Sequence, residues 1–79
     1  MIIAKCVQLN NGYWDSYEEL KLGETYEVDH ADVGRCRTDV YLKGFSRSFN
    51  SVCFKYYKDG KEIDIVKEYM HSYYQKYKR

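Results

Sequence analysis

The chain has 79 residues, with 13 lysines and arginines against 12 acids and a formal net charge of +1. About half the length of a typical domain, it sets a single domain. Its near-neutral balance excludes attachment to nucleic acid or an anionic membrane by bulk charge, and its hydrophobic content of 44% excludes a highly charged disordered chain.

Residues 2–8 read as a first strand with apolar residues in both alternation sets. Met1-Ile2-Ile3-Ala4 runs straight into Lys5, too short for a signal-peptide core, and no apolar run nears the roughly 18 residues of a membrane span. The expectation is a cytoplasmic protein with no membrane attachment. Asn10-Asn11-Gly12 is turn chemistry that opens a long connection from Tyr13 to Gly23. Within it, Ser16 and Glu19 have capping-box spacing for one helical turn, and Leu20 and Leu22 are expected to tuck the loop onto the core.

Residues 24–30 alternate as a half-buried strand, with Tyr26 and Val28 inward, and Asp32-Val33-Gly34 is read as its break. Residues 37–43 form the next strand, with Val40 and Leu42 on one face and Tyr41 on the other. In residues 49–66, Asp59-Gly60 specifies a two-residue type I′ hairpin. That register pairs Lys58 with Lys61, Tyr57 with Glu62, Tyr56 with Ile63, Lys55 with Asp64 and Phe54 with Ile65. It gathers Val52, Phe54, Tyr56, Ile63 and Ile65 on one apolar face. Val66, Tyr69, Met70, Tyr73, Tyr74 and Tyr77 then recur at helical spacing, with Asp64 as a cap and Lys76, Lys78 and Arg79 at the favourable end of the dipole. Five short strands with a long first connection and a tight distal hairpin imply a mainly β fold, a small closed antiparallel barrel followed by an amphipathic helix. Residues 1–66 would form the barrel and residues 67–79 a Tyr/Lys-rich helix or tail packed on it.

Several stretches resemble small uncharacterised SH3-like barrel proteins of Gram-positive bacteria and their phages. They are residues 4–7 (Ala-Lys-Cys-Val), 11–15 (Asn-Gly-Tyr-Trp-Asp), 22–28 (Leu-Gly-Glu-Thr-Tyr-Glu-Val), 40–45 (Val-Tyr-Leu-Lys-Gly-Phe) and 48–54 (Ser-Phe-Asn-Ser-Val-Cys-Phe). The resemblance covers residues 2–66 and implies a five-stranded barrel with residues 8–23 as its long first loop. It also implies a phage or mobile-element accessory role. It carries over no activity, since SH3-like barrels host many functions. Proline-rich ligands are not implied, because the Ala-Leu-Tyr-Asp-Tyr motif and the groove proline are missing.

No phosphate loop, nucleophile elbow or zinc-protease motif is present, so the expectation is a non-enzymatic protein without a cofactor. Cys6, Cys36 and Cys53 are odd in number and widely spaced, which reads as free, mostly buried thiols rather than a disulfide framework or metal site. Two binding surfaces remain. Tyr13 and Trp14, flanked by Asp15, Glu18 and Glu19, have the composition of a protein-recognition loop for a basic partner. Tyr74, Lys76, Tyr77, Lys78 and Arg79, extended by Arg35, Arg37 and Arg47, interleave aromatics with cations and would suit single-stranded nucleic acid. Against the first, Trp14 could plug one end of the barrel. Against the second, the Tyr stripe could pack on the barrel or on a second copy as a homodimer. Charge is also divided along the chain, with seven acids against two lysines in residues 1–34 and eleven bases against five acids in residues 35–79.

Overall fold

The computed structural model describes residues 1–9 and 17–70. They form β1 (Ile2–Cys6), β2 (Thr25–Val33), β3 (Thr38–Leu42), β4 (Ser48–Asn50), a 3-10 turn (Ser51–Cys53), β5 (Phe54–Lys58), β6 (Lys61–Ile63) and the short helix α1 (Ile65–Glu68). The six strands make one antiparallel sheet in the order β4-β3-β2-β1-β5-β6. Its outer strands β4 and β6 are not bonded to each other, so the sheet is open, and it has six strands where the sequence suggests five in a closed barrel.

The extra strand arises at Asn50. Its side-chain oxygen accepts a hydrogen bond from the Val52 amide at 3.3 Å, a local alternative to ladder pairing that turns the chain into the 3-10 segment. The apolar run that reads as one strand is thereby cut in two. β4 pairs with β3, and β5 crosses to pair with β1. The cut changes side-chain parity: Val52, expected on the apolar face, is 56% exposed, whereas Cys53 is fully buried.

β2 runs three residues past its expected end. Val28 pairs with Leu42 and His30 with Tyr41, which leaves Asp29 as the extra residue of a β-bulge. A bulge shifts the inward parity by one, from Val28 before it to Ala31 and Val33 after it. It also divides the strand's work: residues 25–27 pair with β1, and residues 28–33 with β3.

The Asp59-Gly60 hairpin forms in the expected register, with Tyr56 opposite Ile63, Tyr57 opposite Glu62 and Lys58 opposite Lys61. Both central residues have positive φ, 53° at Asp59 and 80° at Gly60. The two further expected pairs do not form, because Asp64 leaves the ladder to accept the Val66 amide at 2.9 Å as the cap of α1. Lys55 instead pairs across to Lys5 of β1, and Ile65 is buried from the helix. Gly60→Val forces a β-branched residue into the left-handed region and is expected to cost about 1–3 kcal/mol. A urea melt checks it, with the midpoint lowered and the slope unchanged.

The core joins Ala4 and Cys6 of β1 to Val28 and Ala31 of β2, Val40 and Leu42 of β3, Phe49, Phe54, Tyr56 and Ile65. Phe49, fully buried, meets three rings edge-on: Tyr17 at 4.9 Å, Phe45 at 5.5 Å and Phe54 at 6.3 Å. Cys6 and Cys53 are buried free thiols and Cys36 is an exposed one. Val66 and Tyr69, the first members of the helical stripe, pack against this core, and Lys58 pairs with Glu68 at 3.4 Å to tie α1 to the hairpin. Met70 is half-buried, and Tyr73, Tyr74 and Tyr77 lie outside the described residues.

Tyr56 is 5% exposed and donates its hydroxyl to the Ser51 carbonyl at 2.8 Å. Burial, reinforced by the neighbouring Cys53, raises its phenol well above the ordinary value of 10.0. In the unfolded chain the phenol ionises near about 10, so above that pH the unfolded state has lost a proton that the folded state keeps. Stability is therefore full below about pH 10 and falls above it by about 1.4 kcal/mol per pH unit from this group. Tyr56→Phe is expected to remove that part of the alkaline slope in denaturant midpoints taken from pH 9 to pH 11.

Candidate binding surface

The first connection is fixed at its base. Leu9 closes β1's exit, and its carbonyl accepts the Tyr17 amide at 2.9 Å, so the chain leaves and returns at one point. Tyr17 is 2% exposed. Its hydroxyl accepts the Asn50 amide at 2.8 Å, and its ring stands edge-on to Phe49. Three positions along, Leu20 is buried as well. Leu22 is not: it is 61% exposed, at the corner of a turn closed by the Glu24 amide on the Lys21 carbonyl at 3.2 Å. Gly23, with φ of +82°, holds the third position of that turn, as a type II geometry requires. The corner position points Leu22 away from the core, contrary to the expectation that it tucks inward.

Tyr13, Trp14 and Asp15 lie between those anchors and outside the described residues, as does Ser16 of the expected capping box. Of that expected turn, Glu18 and Glu19 lie in a bend. Glu18 and Glu19 are exposed on the returning limb. Glu19 meets Arg47 at 3.2 Å, and the Arg47 guanidinium lies over the Tyr17 ring at 5.0 Å and the Phe49 ring at 5.5 Å. Sequence reasoning assigned Glu19 and Arg47 to rival surfaces; the fold joins them into one polar clamp over the loop base. Tyr17 was missed as an anchor, and its capping-box neighbours were the nearest signal.

The three arginines of the alternative surface do not share one patch. Arg35 and Arg37 sit in the β2–β3 turn, whereas Arg47 sits in the β3–β4 turn, at the opposite end of β3. Arg37 donates from Nε to Asp39 at 2.7 Å. Tyr74, Lys76, Tyr77, Lys78 and Arg79 lie outside the described residues. Elsewhere on the β2–β3 face, His30 stacks on Tyr41 at 4.3 Å, and Lys43 pairs with Glu27. That hydrogen bond, strengthened by the carboxylate charge, raises the Lys43 ammonium above its ordinary value. Among the described residues no helix is long and apolar enough to cross a membrane, and no group of three or more His, Cys, Asp or Glu side chains could hold a metal ion.

The described residues define a small, mainly β protein with six antiparallel strands in one open sheet and a short helix. The family model described as Bacteriophage T4 protein Y07B matches residues 1–77, and the chain belongs to that family. No curated protein and no solved structure matches it.

Proposed function

We propose that this phage-related protein is a non-enzymatic, cytoplasmic accessory module that binds a protein partner through Tyr13, Trp14, Asp15, Glu18 and Glu19. The observation that carries the reading is the pinned base of the first connection. Closing the loop between Leu9 and Tyr17, and locking Tyr17 to Asn50, fixes where the aromatic segment leaves the body. A fixed base lowers the ordering cost of recognition, and Trp and Tyr are the residues that most often dominate interface energetics. The acids beside them suit a basic or arginine-bearing partner.

We read the body as an SH3-like barrel that is open at one seam. Support comes from the order β4-β3-β2-β1-β5, the long connection after β1 and the 3-10 turn before β5. β6 and α1 are additions to that plan. The family description speaks of a phage and does not specify a Gram-positive source. Binding of single-stranded nucleic acid through the tail is the weaker reading, because Arg47 stands apart from Arg35 and Arg37, at the opposite end of β3.

A photo-crosslinking amino acid at position 13, used in the protein's own host cells, tests the loop. Capture of one protein from position 13, and not from position 61 at the hairpin tip, is expected. Equal capture at both positions, or capture of nucleic acid alone, would overturn the assignment.

A further inference from the structure

A second surface lies at the β2–β3 turn. A cleft of about 530 Å³ opens there, between that turn, the start of the 3-10 segment and α1. This is within the size range of small-ligand and side-chain pockets. Its apolar wall is Val33, Val66 and Met70, Ser51 adds a hydroxyl, and Arg35 and Arg37 stand on its rim. None of the described residues that line it is acidic, and the Asp39 carboxylate that pairs with Arg37 lies outside the lining.

The turn that carries the two arginines is tightly closed. The Gly34 amide donates to the Arg37 carbonyl at 3.0 Å, and a Cβ at position 34 would lie 2.8 Å from that oxygen. Only glycine fits this approach without a shift of the turn. Arg37 is further oriented by its bond to Asp39.

We propose that this cleft docks an acidic segment of a protein partner, with a carboxylate at Arg35 and Arg37 and an aliphatic side chain against Val33, Val66 and Met70. The inference rests on the reading of the chain as a protein-binding module and adds a second contact to it. Charge complementarity selects the occupant. The chain's own residues 71–79 carry Lys76, Lys78 and Arg79 and no acidic side chain, so they have the wrong sign for the arginine rim. Guanidinium forks match planar carboxylates, and the apolar wall matches a neighbouring aliphatic group. Single-stranded nucleic acid fits less well, since its sites combine cations with aromatic stacking platforms and no aromatic residue lines this cleft among those described.

The test is an NMR titration of the full-length ¹⁵N-labelled protein with the peptide acetyl-Glu-Leu-Glu-Leu-amide. Its glutamine counterpart and a short oligothymidylate serve as the other arms. The acidic peptide is expected to shift the amides of residues 33–38, 51 and 66–70, and the glutamine peptide to leave them in place. Arg35→Gln and Arg37→Gln are each expected to weaken binding about tenfold or more, as loss of a charge-assisted hydrogen bond does. If Arg37→Gln unfolds for want of its Asp39 bond, Arg35→Gln and the two wild-type peptide arms still decide. Trp14→Ala is expected to leave peptide binding unchanged. The proposal falls if both peptides bind alike, if the shifts lie elsewhere, if Arg35→Gln binds as wild type, or if the oligothymidylate alone moves these amides. It also falls if Trp14→Ala abolishes peptide binding at an unchanged thermal midpoint, because the cleft would then be part of the first-loop site. Peptide binding alongside failed capture from position 13 would leave the cleft standing and remove the loop.

Discussion

Tyr17→Ala is expected to cost about 3–5 kcal/mol, the range for deleting a buried aromatic side chain. Two losses combine at this position. The ring leaves a cavity beside Phe49 and removes the surface on which Arg47 lies. The hydroxyl leaves the buried Asn50 amide without its acceptor, a group whose desolvation alone is worth about 1–3 kcal/mol. Tyr17→Phe separates them, since it keeps the ring and deletes only the acceptor. Chemical denaturation of wild type and both variants checks the order: the alanine variant least stable and the phenylalanine variant between it and wild type. A Tyr17→Phe variant as unstable as Tyr17→Ala would place the whole effect in the hydrogen bond.

Phe49→Ala should be comparably damaging, again at about 3–5 kcal/mol. Phe49 is fully buried and is the one ring that touches Tyr17, Phe45 and Phe54 among the described residues. It thereby links the β3–β4 half of the sheet, the base of the first connection and β5. For a domain of this size, about 1 kcal/mol corresponds to roughly 4–8 °C in the midpoint, so the loss is large on the scale of a small fold's total stability. A thermal melt followed by far-ultraviolet circular dichroism measures it. A shift of only a few degrees would show that the neighbouring rings collapse into the space.

Where the chain's information is local, the fold was readable from it. Asp59-Gly60 determines a turn type, the turn type determines a register, and Tyr56 duly faces Ile63. Val40, Tyr41 and Leu42 alternate as their sequence implies. Where one residue resets the count, periodicity misled. Asp29 bulges and hides the second half of β2, and the Asn50 side chain diverts an apolar run that alternates well enough to pass for one strand. The open seam has the same origin, since both outer strands are three residues long and each stops where an Asn or Asp side chain caps the next turn.

The candidate surface was less readable because its supports are long-range. Tyr17 is one of ten tyrosines, and its role depends on an amide 33 positions away. Glu19 and Arg47 are separated by the whole of β2 and β3, and only the folded chain brings them together. The composition of the Tyr13-Trp14-Asp15 segment was visible from the outset, whereas the bonds of Tyr17 to Leu9 and Asn50 were not.

The most direct measurement of the central claim is the affinity of the protein captured from position 13 for Trp14→Ala and for the triple variant Lys76→Ala, Lys78→Ala, Arg79→Ala. Both are compared with wild type at two salt concentrations, with the thermal midpoint of each variant recorded. Loss of a true anchor typically costs about 2 kcal/mol or more, roughly thirty-fold in affinity. The account predicts that loss for Trp14→Ala at an unchanged midpoint, with little effect of the triple variant and shallow salt dependence. A folded Trp14→Ala that binds as wild type, or a triple variant that loses binding with a steep salt slope, would contradict it.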